Sequence, residues 1–457
     1  MTASQRPSGI LTSLRTGLFG LRLQAWIRRQ PRLKQVYRFF PQAVRDRVTA
    51  ALSARATMHT RFQRTAAWEQ TPTSATSWRR RNWEPSAARV PGVNIIGYIR
   101  GEFGLAESAR MYARALINAG IPVALHDLDL GLPHSWQDHS MDEFIDERLP
   151  HRVSIVFVNP DYLDAAFDRV GRARMEGHYV IACWFWELEV VPASWLKAID
   201  MVDEIMVASQ FLEDAFRQVT GKPIMRVPPP LSEWRDSGLQ RSDFGLESHR
   251  FVFLCTFDFH SFMARKNPHA VVRSFKAAFP SDRGDVCLLV KSSNGHMYPD
   301  GMRDLLASAA GDPRILVRDE VIDRAHVHAL QRCCDAYVSL HRAEGFGLGL
   351  AECMALGKPV IATAWSGNME FMTAGNSCLV DYELVPVDGQ YPDSSRARWA
   401  EASTASAAEA MRWLADNPAR ARALGEVAST EVRDQLSPDR AAQRLLARLV
   451  ELEPVPD

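Results

Sequence analysis

The sequence predicts an α/β protein of two doubly wound domains that face a cleft, preceded by a basic helical N-terminal extension. Three observations carry this reading. From Val93 onward, short apolar β-branched runs alternate with helical patterns, which is how parallel sheets covered on both faces are written. The alternation stops at Val227-Pro228-Pro229-Pro230 and restarts at Phe251, so the chain divides into two units of similar size joined at a stiff hinge. The charge divides at residue 90. The whole chain of 457 residues is neutral, yet residues 1–90 hold 17 Lys and Arg against three acids, a charge of +14, leaving −14 on the remainder. The expected organisation is a basic arm and linker over 1–90, a first domain over 91–228, and a second over 229–457 with C-terminal helices.

The elements follow in order. Val93–Ile99 is a strand candidate, followed by a helix over Leu105–Ala119 and a short strand at Val123–Leu125. Val153–Val158, Tyr179–Phe185, Glu204–Ala208 and Ile224–Val227 read as further strands, with a helix at Gln210–Val219. In the second unit the strands are Phe251–Cys255, Val286–Val290, Ile315–Val317, Ala336–Leu340, Val360–Ala362 and Cys378–Val380. Pro268–Phe279 reads as a helix, and two helical segments close the chain near Ala402–Ala415 and Pro438–Leu452. Ligands of such sheets sit beyond the carboxyl ends of the strands.

Composition narrows the function. With 46% hydrophobic and 24% charged residues the chain is neither collagenous, disordered nor a polytopic membrane protein. Overall neutrality argues against a dedicated nucleic-acid partner. The seven cysteines include no Cys-x-x-Cys pair and most lie in apolar runs, so reduced buried thiols and a cytoplasmic location are expected. No window supplies ~18 apolar residues for a spanning helix, and no cleavable signal is evident. Within the arm, Leu11, Leu14, Leu18 and Leu21 share one helix face, with Arg15, Arg22, Arg28 and Arg29 mostly elsewhere. A basic amphipathic helix of this kind suits an anionic membrane surface, placing the protein peripherally on the inner face of the cytoplasmic membrane; packing on the body is the competing reading. Residues 66–90, rich in Ser, Thr, Ala and Arg, read as a linker.

The stretch that carries chemistry runs from His341-Arg342 through Glu344-Gly345-Phe346-Gly347-Leu348 to Glu352 and Gly357. A strand ends near His341. Glycines then make a tight turn where backbone approaches a ligand, and a helix starts near Leu348, its free amides forming an anion site. Glu344 and Glu352 both border that site. A carboxylate beside a phosphate is repulsive unless it serves another group, and sugar or ribose hydroxyls are the obvious donors to it.

Here the sequence resembles a known family. The Glu344-x7-Glu352 spacing around Gly-Phe-Gly, with Gly357-Lys-Pro-Val-Ile-Ala-Thr and Ser366-Gly367-Asn368 after it, is similar to retaining family-4 glycosyltransferases of the GT-B fold, over about residues 93–452. The resemblance implies that Glu344 holds donor-sugar hydroxyls, that Gly345, Phe346, Gly347 and Leu348 lie on the sugar and diphosphate, and that Glu352 binds the nucleotide ribose. It implies that Lys266, opening a helix at Arg265-Lys266-Asn267-Pro268, neutralises the diphosphate. The family often has an arginine six residues before that lysine; this chain has His260, with Arg265 as a substitute. Lys291 is a further cation at a strand end, and His341 another donor-side candidate. In the first unit, Gly101 and Gly104 form a strand-to-helix turn resembling the family's phosphate or acceptor loop, and Glu187 ends a strand facing the cleft, where many relatives put a histidine.

The expectation is a retaining, metal-independent hexosyltransferase, without a cofactor, moving a hexose from a nucleotide-diphosphate sugar to an acceptor hydroxyl. Likeness to bacterial polysaccharide mannosyltransferases suggests GDP-mannose, and a saccharide or lipid-linked saccharide as acceptor. Asp127-Leu128-Asp129 has the Asp-x-Asp form of metal-dependent glycosyltransferases of the other fold and is weighed below that reading. A GT-B nucleotide-sugar epimerase or phosphorylase-like enzyme and a non-catalytic sugar-nucleotide binding protein are the alternatives.

Overall fold

The computed structural model describes residues 60–69, 91–132, 136–231, 236–388 and 391–452, together with residue 30. The leucine face of the arm and most of the linker lie outside these residues. The first sheet contains β1 (Val93–Gly97), β2 (Val123–Asp127), β3 (Val153–Phe157), β4 (Tyr179–Cys183), β5 (Glu204–Val207) and β6 (Ile224–Arg226), in the order β2-β1-β3-β4-β5-β6. Every pairing is parallel. Helices α1 (Gly104–Asn118), α2 (Pro160–Val170) and α3 (Gln210–Arg217) belong to this unit. Continuous burial of β1 and β3 explains why these strands are mainly apolar without alternation, their two polar residues, Asn94 and Ser154, bonding each other inside at 3.0 Å.

The second sheet holds β7 (Phe251–Asp258), β8 (Val286–Ser293), β9 (Ile315–Asp319), β10 (Ala336–Ser339), β11 (Val360–Thr363) and β12 (Cys378–Val380), in the order β12-β11-β10-β7-β8-β9. The expected doubly wound pair is therefore present. The strand order reverses at β1/β3 in the first sheet and at β7/β10 in the second. Those reversals open crevices at the carboxyl ends, and in each sheet the candidate motifs follow the strands beside the reversal.

Three features differ from the sequence reading. Strands β7 and β8 run three residues further than their apolar runs, because Thr256 to Asp258 stay in register with Lys291 to Ser293. An antiparallel hairpin, β13 (Tyr382–Pro386) and β14 (Arg398–Ala402), was not anticipated. The chain also closes with three long helices rather than two: Thr404–Asp416, Pro418–Gln435 and Pro438–Glu451. The middle one is Ala- and Arg-rich with a narrow apolar face. It packs through Gly425, where a Cβ would lie 2.0 Å from the Gly357 carbonyl oxygen. The last crosses back to the first domain, burying Ala441, Leu445 and Leu449 with Tyr112 and Leu116, and its Arg448 pairs with the buried Glu204 at 2.9 Å.

The two crossings between domains are adjacent, since Leu231 N–H donates to the Leu436 carbonyl at 2.8 Å. Pro228–Pro230 lie buried beside this junction, and the Tyr112 hydroxyl donates to the Val227 carbonyl at 2.5 Å. Residues 60–69 pack on the second domain. Trp68 stacks on His326 with ring centroids 4.7 Å apart and meets Phe62 and Phe244, while Arg64 pairs with Glu320 at 2.8 Å. The start of the supposed linker is thus a fixed helical turn, Ala66–Glu69, because Trp68 has apolar surface to bury. Six of the seven cysteines are buried and none is paired. Among the described residues no helix is long and apolar enough to cross a membrane.

Candidate active site

The turn after β7 is bent by two non-glycine residues in the left-handed region, Phe262 at φ 58° and Asn267 at φ 49°. Such residues carry strain that the surroundings must hold. Between them one helical turn, Met263–Lys266, presents Arg265 and Lys266. The turn after β10 presents Glu344. Because β7 and β10 are neighbours, the two turns meet. Arg265 Nη1 donates to Glu344 Oε2 at 2.9 Å and to the Ala343 carbonyl at 3.0 Å, and Lys266 Nζ pairs with the other carboxylate oxygen. From the first domain, Glu187 approaches Arg265 at 3.5 Å. The cluster therefore has two cations, a buried carboxylate and a half-buried one, contributed from both sides of the cleft.

Burial by itself would raise the Glu344 carboxyl, but Lys266, Arg265 and His341 hold it down at about 2. Burial pulls the Lys266 ammonium below its ordinary value, with Glu344 opposing. Burial also works against the Arg265 charge, yet Glu187 and Glu344 outweigh it and raise its pKa. Glu344 and Arg265 therefore keep their charges at neutral pH.

The glycine loop is built for close approach. The Gly345 carbonyl accepts from Ser209 Oγ at 2.8 Å, and a Cβ on Gly345 would sit 2.5 Å from the Trp186 carbonyl oxygen. Only glycine lets the loop touch the opposite domain. Gly347, at φ 93°, starts the helix Leu348–Ala355. The Ser366-Gly367-Asn368 string holds this loop from behind. Ser366 Oγ accepts the Glu344 N–H at 2.8 Å, Gly367 N–H donates to the Glu344 carbonyl at 2.8 Å, and a Cβ on Gly367 would collide with the Gly345 carbonyl at 2.1 Å. Phe346 is buried on Phe371, with centroids 5.0 Å apart.

The other candidates separate. Glu352, 3% exposed, is paired with Arg324 and accepts from Gln331 Nε2 at 3.1 Å. His341 is fully buried with both ring nitrogens engaged, Nδ1 with Ser339 Oγ at 3.1 Å and Nε2 with Asn368 Oδ1 at 3.0 Å. Lys291 lies inside β8, where the charges acting on it belong to Asp258, Asp319 and Glu320 rather than to Glu344. Gly104 opens α1 at the first sheet's reversal, and the Gly101 carbonyl accepts from the buried Arg110 at 2.7 Å. Asp127 takes the Arg100 N–H at 3.1 Å and Asp129 the Gly131 N–H at 2.7 Å, so each carboxylate holds its own turn.

Two residues beside the cleft, Arg324 and Tyr391, had no sequence signal, and a third, Arg342, read only as part of the motif string. Arg324 opens a helix and pairs with Glu352 while also acting on Glu107 of the first domain. Arg342 ties the turn after β10 to the hairpin, donating to Glu401 Oε2 at 2.6 Å and to the Ala264 carbonyl at 2.8 Å. Tyr391 lies in the hairpin loop. The alternation in Tyr382-Glu-Leu-Val-Pro and Arg398-Trp-Ala-Glu-Ala could have indicated the hairpin, but nothing local indicates where its loop reaches.

Residues 221–445, which contain both turns of the cluster and the glycine loop, match the family described as family 4 glycosyltransferase in conflict systems. That match spans 225 of the 457 residues and ends within the last helix. Over 170 residues, the chain is 28% identical to trehalose synthase of Rubrobacter xylanophilus, covering 34% of this chain and 40% of that relative's length. The two Rossmann-like domains together have the GT-B fold. The structure of Anabaena HepE in complex with UDP and glucose superposes with a TM-score of 0.57 at 14% identity, over 79% of this chain and 100% of that one. Sucrose-phosphate synthase from Thermosynechococcus elongatus gives a TM-score of 0.57 at 15% identity, over 79% and 99%. The segment that matches the family thus faces a second Rossmann-like domain, an arrangement shared with those structures.

Proposed function

We propose that this chain is a retaining, metal-independent hexosyltransferase that uses a nucleotide-diphosphate sugar and a hydroxyl acceptor. The observation that carries the reading is the Arg265–Lys266–Glu344 cluster at the reversal point of the second sheet, opposed by Glu187. A departing nucleotide diphosphate gains negative charge, and two fixed cations in a water-poor crevice stabilise it where it develops. As the diphosphate engages Lys266, Glu344 is freed to accept from hydroxyls of the donor hexose. Glu352 exchanges its contacts with Arg324 and Gln331 for the ribose hydroxyls. In the proposed step the anomeric carbon–phosphate oxygen bond breaks. The acceptor oxygen bonds to that carbon on the same face, and its proton passes to the leaving phosphate oxygen. Closure about Pro228–Pro230 keeps water from competing.

The likeness of His341-Arg342-x-Glu344-Gly345-Phe346-Gly347 to mannosyltransferases supports GDP-mannose, whereas HepE is known with UDP-glucose. A thermal-shift screen against GDP-, UDP- and dTDP-sugars decides between them, followed by turnover in EDTA with the product anomer read by NMR. The expected result is a clear shift with one donor and retained anomeric configuration without metal. No shift with any donor, or activity lost in EDTA and restored by manganese, overturns the proposal. Isomerised donor formed without an acceptor selects the epimerase alternative.

We propose further that the arm brings the enzyme to an anionic, cytoplasmic-leaflet surface where a lipid-linked saccharide acceptor is presented. Residues 1–59 hold eleven basic residues against one acid, each worth ~1 kcal/mol near anionic lipid. Truncation should stop at residue 59, because residues 60–69 belong to the folded body. Full-length protein is expected to co-sediment with phosphatidylserine-containing vesicles and the truncated form to remain in solution; equal sedimentation refutes the role.

A further inference from the structure

The β13–β14 hairpin stands outside both large sheets. Its loop crosses the cleft. Asp393 Oδ2 accepts the Ala193 N–H at 2.8 Å, and the Arg398 N–H donates to Glu189 Oε1 at 3.3 Å, both partners belonging to the first domain. On the glycosyltransferase domain the hairpin is fixed by Arg342, whose guanidinium holds Glu401 and lies over the Trp399 ring at 5.2 Å. Between these anchors sits Tyr391, 6% exposed. Its ring meets Trp186 edge-on at 5.4 Å and Phe262 at 4.8 Å, which places it over the turn that presents Arg265.

The ring is well packed, but the hydroxyl is not satisfied. It is buried, and Arg265, the polar group that approaches it, does so without ordinary hydrogen-bond geometry. Burial raises its pKa far above the ordinary value, Glu187 and Glu344 add to this, and Arg265 opposes. The phenol therefore stays neutral over the working range, able to donate and to accept but not to act as a base. An unsatisfied buried hydroxyl is costly and uncommon in folded proteins. Here it faces the cations and carboxylates of the reaction centre.

We propose that Tyr391 is a substrate-contacting residue whose hydroxyl hydrogen-bonds a hydroxyl of the donor hexose beside Glu344, and that residues 391–402, anchored through Asp393 and Arg398, are the clasp that holds it over the cleft. This rests on the glycosyltransferase reading above. It adds a sugar contact from a segment outside the Glu344-x7-Glu352 string.

The test uses full-length protein and hydrolysis of whichever nucleotide sugar gives the thermal shift. Tyr391→Phe keeps the ring and removes the hydroxyl. Its kcat/KM is expected to fall about 10- to 100-fold, with the shift produced by the nucleotide diphosphate alone unchanged. Across donors deoxygenated at single positions, one analogue should cost the wild type as much as the mutation does and cost the variant nothing more. Wild-type kcat/KM in Tyr391→Phe, or equal penalties from every analogue in both proteins, overturns the contact. Asp393→Ala, which frees the clasp at Ala193, is expected to lower kcat/KM in the same assay even if Tyr391→Phe fails to fold; an unchanged value overturns the clasp. A wild type that neither binds nor turns over any nucleotide sugar overturns the glycosyltransferase reading itself, and this inference with it.

Discussion

Lys266→Ala is expected to lower kcat for transfer by about 10²–10³-fold, the loss typical of removing one preorganised group from a developing charge, while leaving the protein folded. The two effects separate for a physical reason. Burial lowers the Lys266 pKa, so its ammonium is less comfortable in the folded chain than in water. Removing it still leaves Glu344 paired with Arg265 at 2.9 Å. The stability change should stay within about 1 kcal/mol. The lowered pKa also places the wild-type alkaline limb of kcat/KM below the ordinary lysine value, since neutral Lys266 no longer stabilises a phosphate. Steady-state kinetics with urea denaturation checks both parts. Near-wild-type turnover in the folded variant removes Lys266 from the site.

Glu344→Gln is expected to damage both activity and stability, and here the structure changes what the sequence suggests. From the motif alone, loss of this acid should abolish transfer and spare the fold. In the molecule, Glu344 is 8% exposed and neutralises two buried cations. Glutamine leaves Arg265 and Lys266 to share the half-buried Glu187, with no carboxylate in direct contact with Lys266, a defect worth about 3–5 kcal/mol. The carboxyl titrates at about 2 instead of near 4.5. A depressed pKa means that its contribution, on the order of 3 kcal/mol, is complete above about pH 4.5 and is lost as pH falls toward 2. Urea unfolding of wild type and variant should therefore differ most at neutral pH and converge on acidification. A pH-independent difference, or none at pH 7, contradicts the ion-pair account. Transfer by the folded variant should fall about 10²–10³-fold, because an amide accepts sugar hydroxyls less strongly than a carboxylate.

Much of this site was legible in the residues. Glu344 and Lys266 stand in the turns after runs that read clearly as strands, although only the sheet order sets those two strands side by side at the reversal. Glycines 345 and 347 mark a turn whose need for small residues is real, although the opposing Trp186 backbone could not be read locally. Lys291 shows where local reading fails. Its apolar run ends at Val290, but pairing with β7 carries the strand to Ser293 and leaves the lysine within the sheet among other acids. His341 adjoins the motif in sequence, yet its ring is spent on Ser339 and Asn368. Arg265 adjoins Lys266 instead of preceding it by six residues; the left-handed Phe262 and Asn267 that flank its turn carry no residue-type signal.

The sequence by itself determined the two-domain α/β architecture, the succession of its strands along the chain and the two turns that carry Lys266 and Glu344. Those features depend on periodicity and turn chemistry within short windows. Only the tertiary structure decided that Glu187 answers Arg265 across the cleft, that Arg324 occupies Glu352, that residues 60–69 are part of the body, and that a hairpin lays Tyr391 over the reaction centre. Each of these joins segments far apart in the chain. Each is set by how the two domains dock and which apolar faces they bury, and neither leaves a local pattern to read.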